Sequence, residues 1–415
     1  MGAIRLPESC RRRRYNGSAD MPGLFDSGSI GTLHLKNRFV RAATAECMAG
    51  PEGEPTRRLV NLYSRLATGN IGLLITGGAY VHPSGRSYLG VVGVHRDSAV
   101  HDLTPLTDSV HERDSKIVLQ LYHCGRQGEP EAAGGVLLAP SAISDRVVRR
   151  RPKAMTTEDI ASIVEAFGEA AGRARAAGFD GVQILAANGY LINQFLSPHS
   201  NRRTDEWGGG LPNRMRFLLE VLKSVRGAVG PEYPVLVKLT VGDFVRGGLT
   251  SAESLTIAQT LAASGVDAIE VTGGTLESFF YMSRGEIPIN QILRSRLISS
   301  HGAVFRYAMR AFATTMRGRV RFEEAYFAPY AERIKRTTRV PVMLVGGLRS
   351  PQVMEQLLQE EKTDFVCMAR PFLREPHMVK RFQEGDLRPS SCLSCNRCLV
   401  SVADGNGVHC FGGKR

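Results

Sequence analysis

Four of the chain's eight cysteines fall in its last 24 residues, spaced Cys392-x2-Cys395-x2-Cys398-x11-Cys410. Four thiolates in so short a stretch can converge on one tetrahedral site, and zinc and iron–sulfur clusters both accept that donor set. The remaining cysteines, Cys10, Cys47, Cys124 and Cys367, are scattered, as single thiols usually are. Other residues sit where short apolar runs end. Gln120 lies in Gln120-Leu121-Tyr122-His123-Cys124-Gly125-Arg126, and its amide offers both donor and acceptor to the polar edge of a heterocycle. His123 next to it reads as a structural histidine. Tyr190 follows another run, and its hydroxyl, protonated below pH ~10, can act as a neutral proton donor. Lys238 ends a third run, a poor place for a surface ion pair. The first run closes on Ala42-Ala43-Thr44-Ala45, small residues that let a flat ligand approach the backbone.

These residues need elements to hold them. Runs at Phe39–Ala42, Gly72–Thr76, Ile117–Leu121, Gly181–Leu185, Val235–Leu239, Ala268–Val271, Val342–Val345 and Phe365–Met368 are four or five residues long and apolar on both faces, as buried parallel strands are. Helix-period segments alternate with them: Thr157–Ala177, Asn213–Val229, Ser251–Ser264, Glu323–Thr337 and Pro351–Glu360. Gly178, Gly230 and Gly265 stand where left-handed caps are wanted. Eight strands alternating with helices predict an α/β fold, a (β/α)8 barrel with loop insertions and a short cysteine-rich C-terminal extension. A doubly wound open sheet would need a glycine fingerprint after its first strand, which is absent. The length beyond a plain barrel is placed in 78–115, 123–155 and 272–322, all after strand C-termini, and in the extension 386–415.

Composition narrows the partners. The net charge is +13, but residues 1–20 carry a balance of +3 and residues 285–322 a balance of +6. A basic tail over 1–22, expected to be disordered, and one insertion thus hold most of the excess, which argues against nucleic acid as a partner. No apolar run approaches the ~18 residues of a membrane span, and none follows the N-terminal arginines as in a secretory signal. The expectation is a soluble, cytoplasmic protein without a transmembrane segment.

Several motifs together resemble the old yellow enzyme family. They are the Asn37-Arg38 strand, the Gln120 to Arg126 segment, and Gly189-Tyr190-Leu191 continuing to Gln194-Phe195-Leu196-Ser197-Pro198. Asn201-x-Arg203-x-Asp205-x2-Gly208-Gly209, Gly346-Gly347 and Ala369-Arg370-Pro371 follow in order. The resemblance spans residues 23–385 and implies an FMN-dependent NAD(P)H oxidoreductase on a (β/α)8 barrel. By that resemblance Ala43, Thr44 and Gly78 line the isoalloxazine, and Ala45 replaces a Thr or Cys that tunes it. Gln120 holds the pyrimidine edge, and Lys238 lies near N1 and O2, where reduced flavin carries negative charge. Gly347, Ala369 and Arg370 bind the phosphate, with Gly346 beside them.

The chemistry implied is hydride transfer from NAD(P)H through the flavin to an activated C=C bond, with Tyr190 as proton donor. Asn188 would be one donor to the substrate carbonyl. The second stands at Leu185, which cannot donate, as in the 2,4-dienoyl-CoA reductase branch. The cysteine motif resembles the [4Fe-4S] motif of that branch and of trimethylamine dehydrogenase, with zinc as the alternative occupant. An external redox partner, an amine or C–N dehydrogenase, and a non-catalytic flavin and iron–sulfur carrier are the other readings. The Arg-rich insertion 285–322, with its interleaved Phe305, Tyr307, Met309 and Phe312, is a solvated cap, a substrate contact, or a membrane or partner contact.

Overall fold

The computed structural model describes residues 22–295 and 302–412. The expected tail up to residue 21, and Arg296, Leu297 and Ile298 of the insertion, lie outside the described residues. Eight parallel strands form the barrel: β1 (Phe39–Arg41), β2 (Leu73–Tyr80), β3 (Lys116–Tyr122), β4 (Gly181–Ala186), β5 (Val235–Thr240), β6 (Ala268–Thr272), β7 (Val342–Val345) and β8 (Phe365–Met368). Each pairs with its neighbour in sequence, and β8 pairs with β1 to close the ring. The predicted (β/α)8 architecture and all eight strand positions are observed.

The strands are buried on both faces because helices cover the outside and side chains fill the inside. Val40, Leu73, Ile75, Val118, Leu236, Met343 and Phe365 pack within the ring. The hairpin Gly28–Ile30/Leu33–Leu35 adds Ile30, Leu33 and Leu35 to that cluster. This plug was not foreseen: two three-residue strands are too short for a periodic signal.

Helices Thr157–Ala176, Leu211–Val229, Ser251–Ala263 and Pro351–Gln359 lie within two residues of the predicted bounds. Gly178, Gly230 and Gly265 all have φ near +80°, the left-handed caps expected of them. Two readings need correction. Residues 78–115 are not all insertion, because Ser98–His111 is the barrel helix between β2 and β3. Pro105 in its middle weakens the helical signal. The helix expected from Glu323 begins at Ala328. Glu324 is engaged elsewhere: its carboxylate accepts the Arg349 and Ser350 N–H groups, both at 2.9 Å, at the start of Pro351–Gln359.

Candidate active site

The strand C-termini open onto one cavity of about 290 Å³. Its wall brings together all twelve non-cysteine residues singled out from the sequence. Ala43, Thr44 and Ala45 come from the end of β1, Gly78 from β2, Gln120 from β3 and Lys238 from β5. Asn188 and Tyr190 follow β4, while Gly346, Gly347, Ala369 and Arg370 follow β7 and β8.

A buried ion pair shapes the β1 corner. Arg41, fully buried, holds Glu46 at 2.6 Å and the Ile75 carbonyl at 2.5 Å. Tyr63 donates to the same Glu46 oxygen at 2.6 Å, and the Gly77 N–H approaches it at 3.2 Å. A Cβ at Gly77 would lie 2.0 Å from Glu46 Oε2, so only glycine fits beneath this turn. The network fixes the stretch 42–45 against β2. Gly78 is equally constrained, since a Cβ there would come within 2.7 Å of the Tyr122 ring.

The floor of the cavity carries a polar chain across β3–β6. Lys238 Nζ lies 2.7 Å from Glu270 Oε1, Gln183 Nε2 donates to Glu270 Oε2 at 2.8 Å, and Gln120 Nε2 donates to Gln183 Oε1 at 2.7 Å. Strand register builds it: Lys238 is opposite Glu270, and Gln120 opposite Gln183. Sequence reasoning missed Glu270 and Gln183. The signal that identified Lys238, a polar residue inside an apolar strand, was available for both.

After β4 the chain turns through Asn188 (φ 58°) and Gly189 (φ 80°), and Tyr190 caps the helix Leu191–Leu196. Asn193 accepts the Gly189 N–H at 2.6 Å, and Gln194 donates to the Gly189 carbonyl at 2.7 Å, which fixes the turn. The Tyr190 ring meets Tyr122 edge-on at 5.2 Å. Burial raises the Tyr190 pKa, and the Cys47 and Cys124 thiols nearby raise it further. Its hydroxyl stays protonated through neutral pH, as a proton donor requires. Leu185 also lines the cavity, so no side-chain donor stands at that position.

His123 is not part of this wall. It is fully buried, bonded to Ser84 Oγ at 3.0 Å, and accepts the Gly125 N–H at 3.0 Å. Burial pushes its pKa down to about 3, so it is neutral and structural.

The β7–β8 end is cationic. Gly346 and Gly347 both have positive φ, at 147° and 76°, backbone that favours glycine. Arg349 lines the cavity with a buried Nε that has no partner, and Arg284 nearby has another. Such orphaned donors suit an anion, so the residues at this end fit a flavin phosphate. Arg370 lines the cavity and also has partners within the protein. Its guanidinium donates to the Arg284 carbonyl at 3.1 Å and to Asn396 Oδ1, stapling the insertion to the cysteine extension.

That extension folds back on the cavity mouth. Glu286 N–H donates to the Ser394 carbonyl at 3.0 Å, and Val408 N–H to the Glu46 carbonyl at 2.7 Å. Ser394 and Asn396 adopt left-handed backbone on either side of Cys395, the kind of turn that presents N–H groups to anionic sites. Burial raises the Cys398 pKa to about 11, with Arg370 lowering it and Cys392, Cys395 and Cys410 raising it. The four thiols are thus electrostatic neighbours. As placed, no group of three or more His, Cys, Asp or Glu side chains converges on a metal position among the described residues.

In the insertion, Ile287, Ala313, Met316 and Val320 form a small core against Phe280 and Tyr281. Val304 and Tyr307 on helix Ala303–Arg319 are exposed. No helix among the described residues is long and apolar enough to cross a membrane.

A profile of the NADH:flavin oxidoreductase / NADH oxidase family matches residues 23–279 and 288–388. A metal reductase of Desulforamulus reducens is 36% identical over 392 residues, covering 94% of this chain and 53% of that protein. A 4,4'-dithiodibutanoate disulfide reductase of Rhodococcus erythropolis is 32% identical, covering 94% of this chain and 95% of its own. Among solved structures, 2-naphthoyl-CoA reductase in complex with 2-naphthoyl-CoA superposes with a TM-score of 0.79 at 27% identity, over 93% of this chain and 56% of that one. The chain spans about half the length of the metal reductase it matches. With the barrel, the cavity and the matched profile in agreement, the chain belongs to the NADH:flavin oxidoreductase / NADH oxidase family, the old yellow enzyme group anticipated from its motifs.

Proposed function

We propose that the chain is an FMN-dependent NAD(P)H oxidoreductase that reduces an activated C=C bond. The observation that carries this reading is the free, protonated Tyr190 in the same wall as Gln120, Lys238 and the β7–β8 glycines. Hydride transfer from NAD(P)H to the β-carbon of the alkene is the chemistry that FMN would supply when bound. The residues of the chain do the rest. Gln120 and Lys238 would hold the pyrimidine edge, with Glu270 and Gln183 fixing both side chains. Backbone at Gly347, Ala369 and Arg370, with the Arg349 side chain, would hold the phosphate. Ala43, Thr44, Ala45 and Gly78 leave room for a flat ring against the backbone. Tyr190 would protonate the α-carbon, and Asn188 would donate to the substrate's activating oxygen.

Leu185 makes this oxygen pocket one donor poorer, a loss of ~3 kcal/mol of transition-state stabilisation for a simple enone. An enoyl or dienoyl thioester is therefore kept beside a simple enone as the substrate type, and the 2-naphthoyl-CoA reductase neighbour is named for an aromatic acyl thioester. The cysteine motif is read as four thiolate ligands, to a [4Fe-4S] cluster in preference to zinc. Anaerobic turnover of enones and enoyl thioesters with NADPH or NADH, and of tertiary amines with an artificial electron acceptor, followed by product identification, tests the reading. Saturated carbonyl products support it, whereas dealkylated amines alone would transfer the chain to the amine dehydrogenases.

A further inference from the structure

A second concavity, of about 410 Å³, opens on the same face of the barrel between the loops after β3, β4 and β5. Arg146, His199, Arg202 and Arg246 line it, with Ser144 between them. It adjoins the first cavity through consecutive residues. Gln127 and Leu276 belong to the cavity wall, while Arg126 and Glu277 pair with each other at 2.9 Å under the groove.

The charges in the groove do not balance. Glu277, almost wholly buried, receives Arg126, His199 Nε2 at 3.0 Å and the Arg146 backbone N–H at 3.3 Å. Arg146 Nε stands farther off, at 3.6 Å. Asp145 is buried, 4.0 Å from Arg126, and accepts the Val147 and Val148 N–H groups. The two acids are therefore occupied from below. Arg202 and Arg246 form no ion pair among the described residues, Arg202 bonding only through its backbone N–H to Ser141, and both are exposed. Arg202 and Arg246 thus add two guanidinium forks without a counter-charge beside Arg146, and their planar geometry matches phosphate oxygens. The flavin phosphate is not that anion, because its end of the cavity lies at β7–β8, across the barrel from β3–β5.

We propose that the groove between Arg146, Arg202 and Arg246 binds the phosphate groups of a nucleotide whose reactive end enters the neighbouring cavity. This rests on the oxidoreductase reading for the reactive end but not for the phosphates. Two sources share the chemistry: the hydride donor, and a substrate carried on a nucleotide tail.

The test uses the full-length, flavin-loaded protein. Inorganic pyrophosphate is titrated calorimetrically into the wild type, Arg202→Ala, Arg246→Ala and the double variant at low salt. Binding should weaken about tenfold per arginine removed, fall as salt rises, and return in part with Arg202→Lys/Arg246→Lys. Unchanged affinity in the double alanine variant, or no binding to the wild type, overturns the site. Displacement of pyrophosphate by NADPH supports the groove and assigns it to the hydride donor, and displacement by coenzyme A supports it and assigns it to the substrate. Displacement by neither overturns the nucleotide assignment. In the first case the NADPH concentration needed to bleach the flavin rises in the double variant while the limiting rate holds. If the flavin is not bleached by either nicotinamide yet pyrophosphate binds, the oxidoreductase reading fails and the groove stands.

Discussion

Lys238 and Glu270 form an ion pair of 2.7 Å inside the barrel, between register partners on adjacent strands, with the ammonium facing the cavity wall and the carboxylate fully buried. A buried ammonium that loses its counter-charge is costly, while replacing both partners by apolar groups is often neutral. Glu270→Gln is therefore expected to lose about 3 kcal/mol of stability in urea unfolding. Lys238→Met/Glu270→Leu should recover most of it and yet copurify with little FMN, which absorbance of the purified protein measures. A double variant as unstable as the single one would show that Glu270 acts through Gln183 and not through Lys238.

Tyr190 separates the two halves of the proposed cycle. Its hydroxyl has no hydrogen-bond partner among the described residues, and burial keeps it protonated. Tyr190→Phe removes one oxygen and leaves the ring against Tyr122. Flavin reduction by NAD(P)H should be unchanged in stopped-flow, and alkene reduction should slow about a hundredfold or more. Alkene reduction at the original rate would remove Tyr190 from the mechanism.

The barrel was legible because its strands are buried on both faces and read as short apolar runs between glycine-capped helices. The cavity wall was legible because chemistry-bearing residues interrupt those runs at their C-terminal ends. What stayed hidden depends on contacts across the sheet. Glu270 gains meaning only from the register that sets it beside Lys238, and Gln183 only from Gln120. Arg370 was legible as a residue at the end of β8, but its bonds to Arg284 and Asn396, 86 and 26 residues away in the chain, were not. The groove of Arg146, Arg202 and Arg246 is assembled from three loops that no local pattern links.

His123 predicts a pH dependence of stability. Burial lowers its folded pKa to about 3 from an ordinary value near 6.5. The unfolded chain thus binds the extra proton throughout that window, and the stability present above pH 6.5 is lost as pH falls toward 3. The contribution is ~1.4 kcal/mol per pH unit. His123→Asn should be less stable at pH 7, because the bonds to Ser84 and Gly125 are disturbed. Its stability should also decline less steeply between pH 6 and pH 4, read from unfolding midpoints at each pH. Parallel pH profiles for the two proteins would mean that His123 is protonated in the fold.

The cysteine extension is tied to the rest of the protein by hydrogen bonds along its length, and a group bound to its thiols would add a further cross-link. Asn396 donates to the Ser283 and Glu286 carbonyls, at 3.1 and 3.0 Å, and Val408 N–H reaches Glu46. Cys392 and Cys395 lie in this docked loop and Cys398 in the helix Arg397–Ala403 that follows, while Cys410 is exposed. A group binding all four thiolates would cross-link the end of the chain to that loop. Anaerobically purified protein should therefore carry about four iron atoms per chain with matching sulfide, and Cys395→Ala should carry almost none. Zinc at about one per chain would replace the cluster by a structural metal. In either case, stripping the metal should raise amide exchange at Val408 and Glu286, since both bonds depend on the extension staying docked. Slow exchange at Val408 in metal-free protein would show that packing against the β1 corner suffices, and that the thiols do not hold the extension in place.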